Sequence, residues 1–283
     1  MRMTREAMAA GSHALAALGY TEPTSQAPMV QLSERETGSG VVTIAEEVPI
    51  ALVYNGRPYV VVMATPADLE DLAVGFSLTE SIVSDASDVE HVDVVKASHG
   101  IELQVRISAA DAERLAARGR ALVARTGCGL CGIETIKDVL RVPEPIPQTL
   151  TISRDALWRA GRELSTRQTL NNQTSTIHAA AWANRLGEIL IVREDVGRHN
   201  ALDKVLGAMA RGGIAARDGF VVVTSRASYE MVQKAALRGV ELLAAISRPT
   251  GLAIRFALDA GMTLVGLLRG TSANVYTAHE RIT

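Results

Sequence analysis

Ile189-Leu190-Ile191-Val192-Arg193-Glu194-Asp195-Val196-Gly197-Arg198-His199-Asn200-Ala201-Leu202-Asp203-Lys204 is the stretch that decides the fold. Its first four residues are apolar and mostly β-branched, which suits a short buried strand. A charged, glycine-bearing turn follows, and the apolar spacing then lengthens to that of a helix. Phe220 to Thr224, Leu242 to Ile246 and Thr263 to Leu268 are further short apolar runs separated by helical stretches. Parallel β-α-β units produce this spacing. The second half of the chain therefore reads as an α/β domain with a mostly parallel central sheet.

Open parallel sheets bind ligands at the carboxyl ends of their strands, so the residues after each run carry the functional expectation. The first turn offers Asp195, Arg198 and His199, and the second is Ser225-Arg226-Ala227-Ser228. Ser247-Arg248-Pro249-Thr250 and Arg269-Gly270-Thr271-Ser272 complete the set. An arginine in each loop, with hydroxyl or small residues beside most of them, suits an anionic, phosphorylated ligand held by guanidinium groups and helix N-termini. Against this stands a plain alternative: Asp195 and Ser228 cap helices, and the arginines are solvated. No P-loop and no glycine-rich dinucleotide fingerprint is present. His178 invites comparison with a zinc deaminase, but His178-Ala179-Ala180 lacks the catalytic glutamate, and Gly127 stands where proline should precede the cysteines.

Working back toward the N-terminus, Val48 to Tyr54 and Tyr59 to Ala64 flank Asn55-Gly56, a strong hairpin signal. Thr65-Pro66 is expected to open a helix with threonine as the cap and Leu69, Leu72, Ala73 and Phe76 as the buried stripe. A second hairpin runs from Val89 to Lys96 and from Ile101 to Ile107, and Ser108 with Asp111 caps a short helix ended by Gly119. Residues 38–125 thus form a small α+β domain, and 126–283 the α/β domain. Residues 1–37 read as a poorly ordered extension whose Arg2, Arg5 and broken Ala-rich run do not make a signal peptide.

The length of 283 residues suits one large or two ordinary domains, and the composition suits packed helix-on-sheet layers. Hydrophobic residues make up 47% and aromatics 4%, so the core must be aliphatic. The net charge of -2 and pI near 6.3 argue against nucleic acid as a partner. No run is long enough to span a membrane, and a cytoplasmic location is expected.

Both cysteines lie in Thr126-Gly127-Cys128-Gly129-Leu130-Cys131-Gly132, ahead of a short helical pattern from Ile133 to Leu140. A structural zinc site would need two histidines as well. A structural disulfide would close too short a loop to stabilise much. A thioredoxin-like dithiol usually sits early in its fold, beside aromatic residues or proline. A nucleophilic cysteine that carries a group covalently fits the open, glycine-flanked setting best.

Taken together, Thr126 to Gly132, Glu194 to Lys204, Ser225-Arg-Ala-Ser-Tyr-Glu-Met-Val-Gln-Lys234 and the ending from Gly261-Met-Thr-Leu-Val265 to Tyr276 resemble the FdhD family, formate dehydrogenase accessory proteins that carry sulfur for the molybdenum cofactor. The resemblance runs from about Gly38 to the C-terminus. It implies a small α+β domain before a cytidine-deaminase-like α/β domain, and a homodimer. It also implies that Cys128 accepts persulfide sulfur from a cysteine desulfurase, with Cys131 assisting release or relay. The sulfur then passes to bis(molybdopterin guanine dinucleotide), before that cofactor enters the formate dehydrogenase catalytic subunit. The chain itself would hold no tight metal. Leu267, Leu268, Arg269, Gly270, Thr271 and Ser272 become the candidate contacts for the guanine nucleotide, with Arg226, Arg248, Asp195, Arg198 and His199 around it. Ser175-Thr176-Ile177 stands before His178 where relatives tend to have a Gly-Gly pair. A dithiol-disulfide oxidoreductase and a non-catalytic cofactor chaperone remain the competing functions.

Overall fold

The computed structural model describes residues 22–34, 37–119 and 145–283. Cys128, Cys131 and the helix expected after them lie outside the described residues.

Strands β1 (Thr24–Leu32) and β2 (Thr37–Ala45) form an antiparallel ribbon. β1 falls in the stretch expected to lack order, and it takes its place by pairing along the whole of β2. Strands β3 (Val48–Tyr54), β4 (Arg57–Ala64), β5 (Val89–Ala97) and β6 (Gly100–Ile107) make a second sheet in the order β4-β3-β6-β5. Asn55 and Gly56 both have positive φ, 48° and 77°, as the two-residue hairpin requires. Helix α1 (Leu69–Thr79) covers this sheet, burying Leu72 and Ala73 against Ile50, Leu52 and Leu103. Thr65 does not cap α1. The helix starts four residues later, behind Asp68 in a left-handed conformation at φ 52°, and Thr65 is used elsewhere. Helix α2 (Ala109–Gly119) begins as expected, with the Asp111 amide donating to Ser108 Oγ.

The remaining chain builds the six-stranded sheet. Helix α3 (Arg154–Arg167) is capped by Ser153, which accepts from the Ala156 amide, and a single turn α4 (Asn171–Thr174) follows. Strands β7 (His178–Asn184), β8 (Ile189–Asp195), β9 (Gly219–Val223), β10 (Leu242–Ala245), β11 (Thr263–Arg269) and β12 (Ser272–Val275) take the order β12-β11-β10-β9-β7-β8. Helices α5 (Arg198–Arg211), α6 (Tyr229–Leu237) and α7 (Gly251–Ala260) pack on one face. Leu157, Ala160 and Leu164 of α3 pack on the other.

The expected mostly parallel sheet needs correction. Only β9-β10 and β10-β11 pair in parallel; β7 pairs antiparallel with both β8 and β9, and β12 with β11. The strand that changes the topology is β7, whose His-Ala-Ala-Ala-Trp-Ala-Asn sequence carries little β-propensity. Alanine serves there because both faces are covered: Ala180 and Trp182 meet the α5–α7 core, while Ala179, Ala181 and Ala183 meet the α3 core.

The two larger sheets meet where α1 crosses α5. A Cβ on Gly75 would lie 1.8 Å from the Asp203 carbonyl oxygen, and one on Gly207 would lie 1.9 Å from that of Asp71. Only glycine allows backbones so close. Charged groups stitch the same seam. Asp71 receives Arg193 and Arg211. Lys234 reaches Asp203 and Glu80, each at 2.9 Å. Burial opposes the Lys234 charge, yet the Asp203 and Glu80 carboxylates outweigh it and hold the ammonium protonated well above its ordinary value.

Candidate functional site

Because β7 is antiparallel to both its neighbours, β8, β9, β10 and β11 all run the same way, and β7 starts where they end. Their carboxyl-end loops therefore share one rim with His178. Hydrogen bonds link the loops in sequence: Thr224 N to Ala179 O, Thr250 N to Ala227 O, and Leu267 N to Ser247 O.

The rim contains the Glu194 to Lys204 motif, and the structure divides that motif in two. Asp195, expected beside the ligand, is fully buried, and both its oxygens are occupied within the protein. Oδ1 accepts from Gly197 N and Asn200 Nδ2, and Oδ2 from Thr65 N and Lys204 Nζ, the last at 2.6 Å. Lys204 Nζ also donates to the Thr65 and Glu194 carbonyl oxygens, and Thr65 Oγ1 accepts from Val196 N. Asn200 donates to Met63 O. Glu194 accepts from the Thr169 hydroxyl and the Leu170 and Asn171 amides. These residues fix the turn and fasten it to the end of β4.

Arg198 and His199 remain for the rim. They occupy the first turn of α5, whose cap, Gly197, supplies no side-chain hydrogen bond. His199 Nε2 lies 2.7 Å from Glu230 Oε2 in the first turn of α6. The hydrogen bond from His199 holds the Glu230 carboxyl below its ordinary value. Ser228 occupies the cap position of α6 but makes no capping bond, and among the described residues its Oγ is buried without a partner, as is Arg198 Nε. By contrast, Thr250 caps α7 by accepting from Ala253 N. His178 stands opposite Asp195 in the β7–β8 register. Burial, and then the nearby charges of Arg198, His199 and Arg226, push its imidazole below the usual histidine value. His178, Arg198, His199 and Arg226 are thus one cluster, with two uncapped helix N-termini beside it. The sequence offered Thr65 only as a helix cap and Glu230 only as one residue of the Ser225 to Lys234 motif.

The other expected contacts fall elsewhere on the rim. Leu268, expected among the nucleotide contacts, is in the core and 1% exposed. Leu267 is left-handed at φ 53° inside an irregularity that bends β11 toward β12. Arg248, Arg269 and Gly270 are exposed. Thr271 and Ser272 line a cleft of about 480 Å³ with Arg154, Trp158 and His279. Among the described residues, no helix is long and apolar enough to cross a membrane.

Fold and rim define an α/β protein of three sheets, with arginine and histidine side chains gathered along one edge of the largest. The FdhD/NarQ family model matches residues 45–283. A sulfur carrier protein FdhD of Bordetella petrii is 49% identical over 239 residues, covering 84% of this chain and 86% of that relative. Another, of Xanthomonas euvesicatoria pv. vesicatoria, is 48% identical over 270 residues, covering 93% and 96%. The crystal structure of a protein from Desulfotalea psychrophila described as a formate dehydrogenase accessory protein superposes with a TM-score of 0.74 at 24% identity, covering 92% of this chain and 99% of that one. The last likeness speaks for the fold. The chain belongs to the FdhD/NarQ family.

Proposed function

We propose that this protein is a sulfur carrier for the molybdenum cofactor of a formate dehydrogenase, and that the rim holds the cofactor's guanine nucleotide while sulfur is delivered. The observation that carries this is near-half identity, over most of the chain, to relatives named sulfur carrier proteins. In loading, the Cys128 thiolate attacks the outer sulfur of the cysteine desulfurase persulfide. The new bond makes a Cys128 persulfide, and the desulfurase cysteine leaves as thiolate. For release, the Cys131 thiolate attacks Cys128 Sγ, expelling hydrosulfide and leaving a Cys128–Cys131 disulfide for a cellular dithiol to reduce. The substrate is bis(molybdopterin guanine dinucleotide), whose pyrophosphate suits Arg198 and Arg226 and the free N–H groups of α5 and α6.

Intact-protein mass spectrometry after incubation with a cysteine desulfurase and cysteine tests the chemistry. One labile sulfur atom is expected on wild type and on Cys131→Ala, and none on Cys128→Ala. A reversible disulfide as the only modified species would make the protein a dithiol oxidoreductase. An unmodified protein that still binds the cofactor would make it a chaperone.

A further inference from the structure

His178 heads β7 on the rim. On one side the register sets it against Asp195 of β8. On the other, the bond from Thr224 N to Ala179 O brings in the β9 end that leads to Arg226. Among the described residues, the charged groups around it come from three elements. β8 gives Asp195, whose charge Lys204 already meets at 2.6 Å. α5 gives Arg198 and His199, and the β9–α6 loop gives Arg226. Glu230 of α6 is engaged by His199. The uncompensated balance at the imidazole is therefore positive. Among the described residues, Ser228 Oγ and Arg198 Nε are buried with no hydrogen-bond partner, as is His199 Nε2 apart from its 2.7 Å ion-pair contact with Glu230. Buried donors left unpaired are costly, and an oxyanion seated beside the first two would satisfy both.

We propose that His178 is a proton-coupled contact for the ligand's pyrophosphate: when the bridging phosphates of a nucleotide settle between the N-termini of α5 and α6, the imidazole takes up a proton and donates to them. This rests on the rim reading above and deepens it by naming the corner that holds phosphate and the side chain that reports its arrival. In the free protein, burial and the surrounding cations hold the His178 imidazole below its ordinary value and so disfavour its charged form. An anion among those cations reverses the local field and favours imidazolium. Affinity must then rise on acidification, because the complex binds a proton that the free protein does not.

Diguanosine pyrophosphate is the probe. It has the pyrophosphate linkage but lacks the monoester ionisation near about pH 6 that guanosine diphosphate would add. The full-length protein is titrated with it by calorimetry between about pH 8 and about pH 5.5, across the ordinary histidine value of about 6.5. In parallel, the His178 ring signals are followed by NMR with and without ligand. The His178 midpoint is expected to rise on binding, and the dissociation constant to fall on acidification, about tenfold for each pH unit of that rise. His178→Asn should bind with a flat pH profile, and Arg226→Gln should bind more weakly throughout. Wild-type binding with an unmoved His178 midpoint overturns the proposal and leaves the rim reading standing. A His178→Asn variant as pH-dependent as wild type does the same. Absence of binding at every pH overturns both. Should His178→Asn fail to fold, the wild-type midpoint decides alone.

Discussion

The seam between the two larger sheets and the rim beside it are built from the same motif and use charge in opposite ways. In the seam every buried charge is answered: Asp195 by Lys204, Asp203 by Lys234, Asp71 by Arg193 and Arg211. At the rim, Arg226, Arg248 and Arg269 stand exposed, and among the described residues Arg198 Nε and Ser228 Oγ have no hydrogen-bond partner. Consecutive residues of one helix face both ways, with Arg198 and His199 turned to the rim and Asn200, Asp203 and Lys204 to the seam. A dense run of polar residues is thus not one site: half of it holds together the scaffold that positions the other half.

The sharpest way to break this contrast is at Lys204. Lys204→Met leaves Asp195 buried and unpaired, a change that typically costs about 3 to 5 kcal/mol. The denaturant midpoint should fall accordingly. A loss below about 1 kcal/mol, the range of exposed pairs, would mean that the seam charges are no more structural than the rim's. Gly207→Ala comes next, since its new methyl group meets the Asp71 carbonyl oxygen and α1 must move away from α5. About 1 to 3 kcal/mol is expected for such overpacking, read in the same experiment, and an unchanged midpoint would show that the helices do not touch there.

These seam effects show what sequence could and could not supply. The hairpin at Asn55-Gly56, the Ser108 and Ser153 caps and four strands of the large sheet announce themselves through local backbone chemistry and apolar runs. β7 does not, because an alanine strand is selected by the space between two helical layers, a property of the packed structure. Thr65 reads locally as a helix cap, and only the packed structure brings Asp195 and Val196 to it. Asp195 and Lys204 carry no mark of being buried together. The rim arginines were legible as a set because topology rules place strand ends on one side. The sorting among them was not, since Leu268 lies in the core only through the register of β11.

A smaller effect joins the two regions through pH. Glu230 has its carboxyl lowered below the ordinary glutamate value by the hydrogen bond from His199. On acidification the unfolded chain therefore takes up this proton first. The pair's contribution is present above that value and is lost as pH falls through the lower, folded one. Glu230→Gln should accordingly lower the denaturant midpoint slightly at neutral pH, with the gap to wild type closing in acid. A gap that persists unchanged in acid would assign the loss to packing.

The smallest effect on the fold, and the most telling, is expected at the rim. Arg198→Gln and Arg226→Gln should leave the ligand-free stability within about 0.5 kcal/mol of wild type, as for substitutions outside structural networks. Thermal denaturation with and without guanosine diphosphate then measures the ligand-binding role directly. Wild type should gain melting temperature with guanosine diphosphate and less with adenosine diphosphate, and each arginine variant should lose most of that gain while melting normally alone. Variants that melt early without ligand, or that keep the full gain, would show that the rim charges belong to the fold and would contradict the division drawn here.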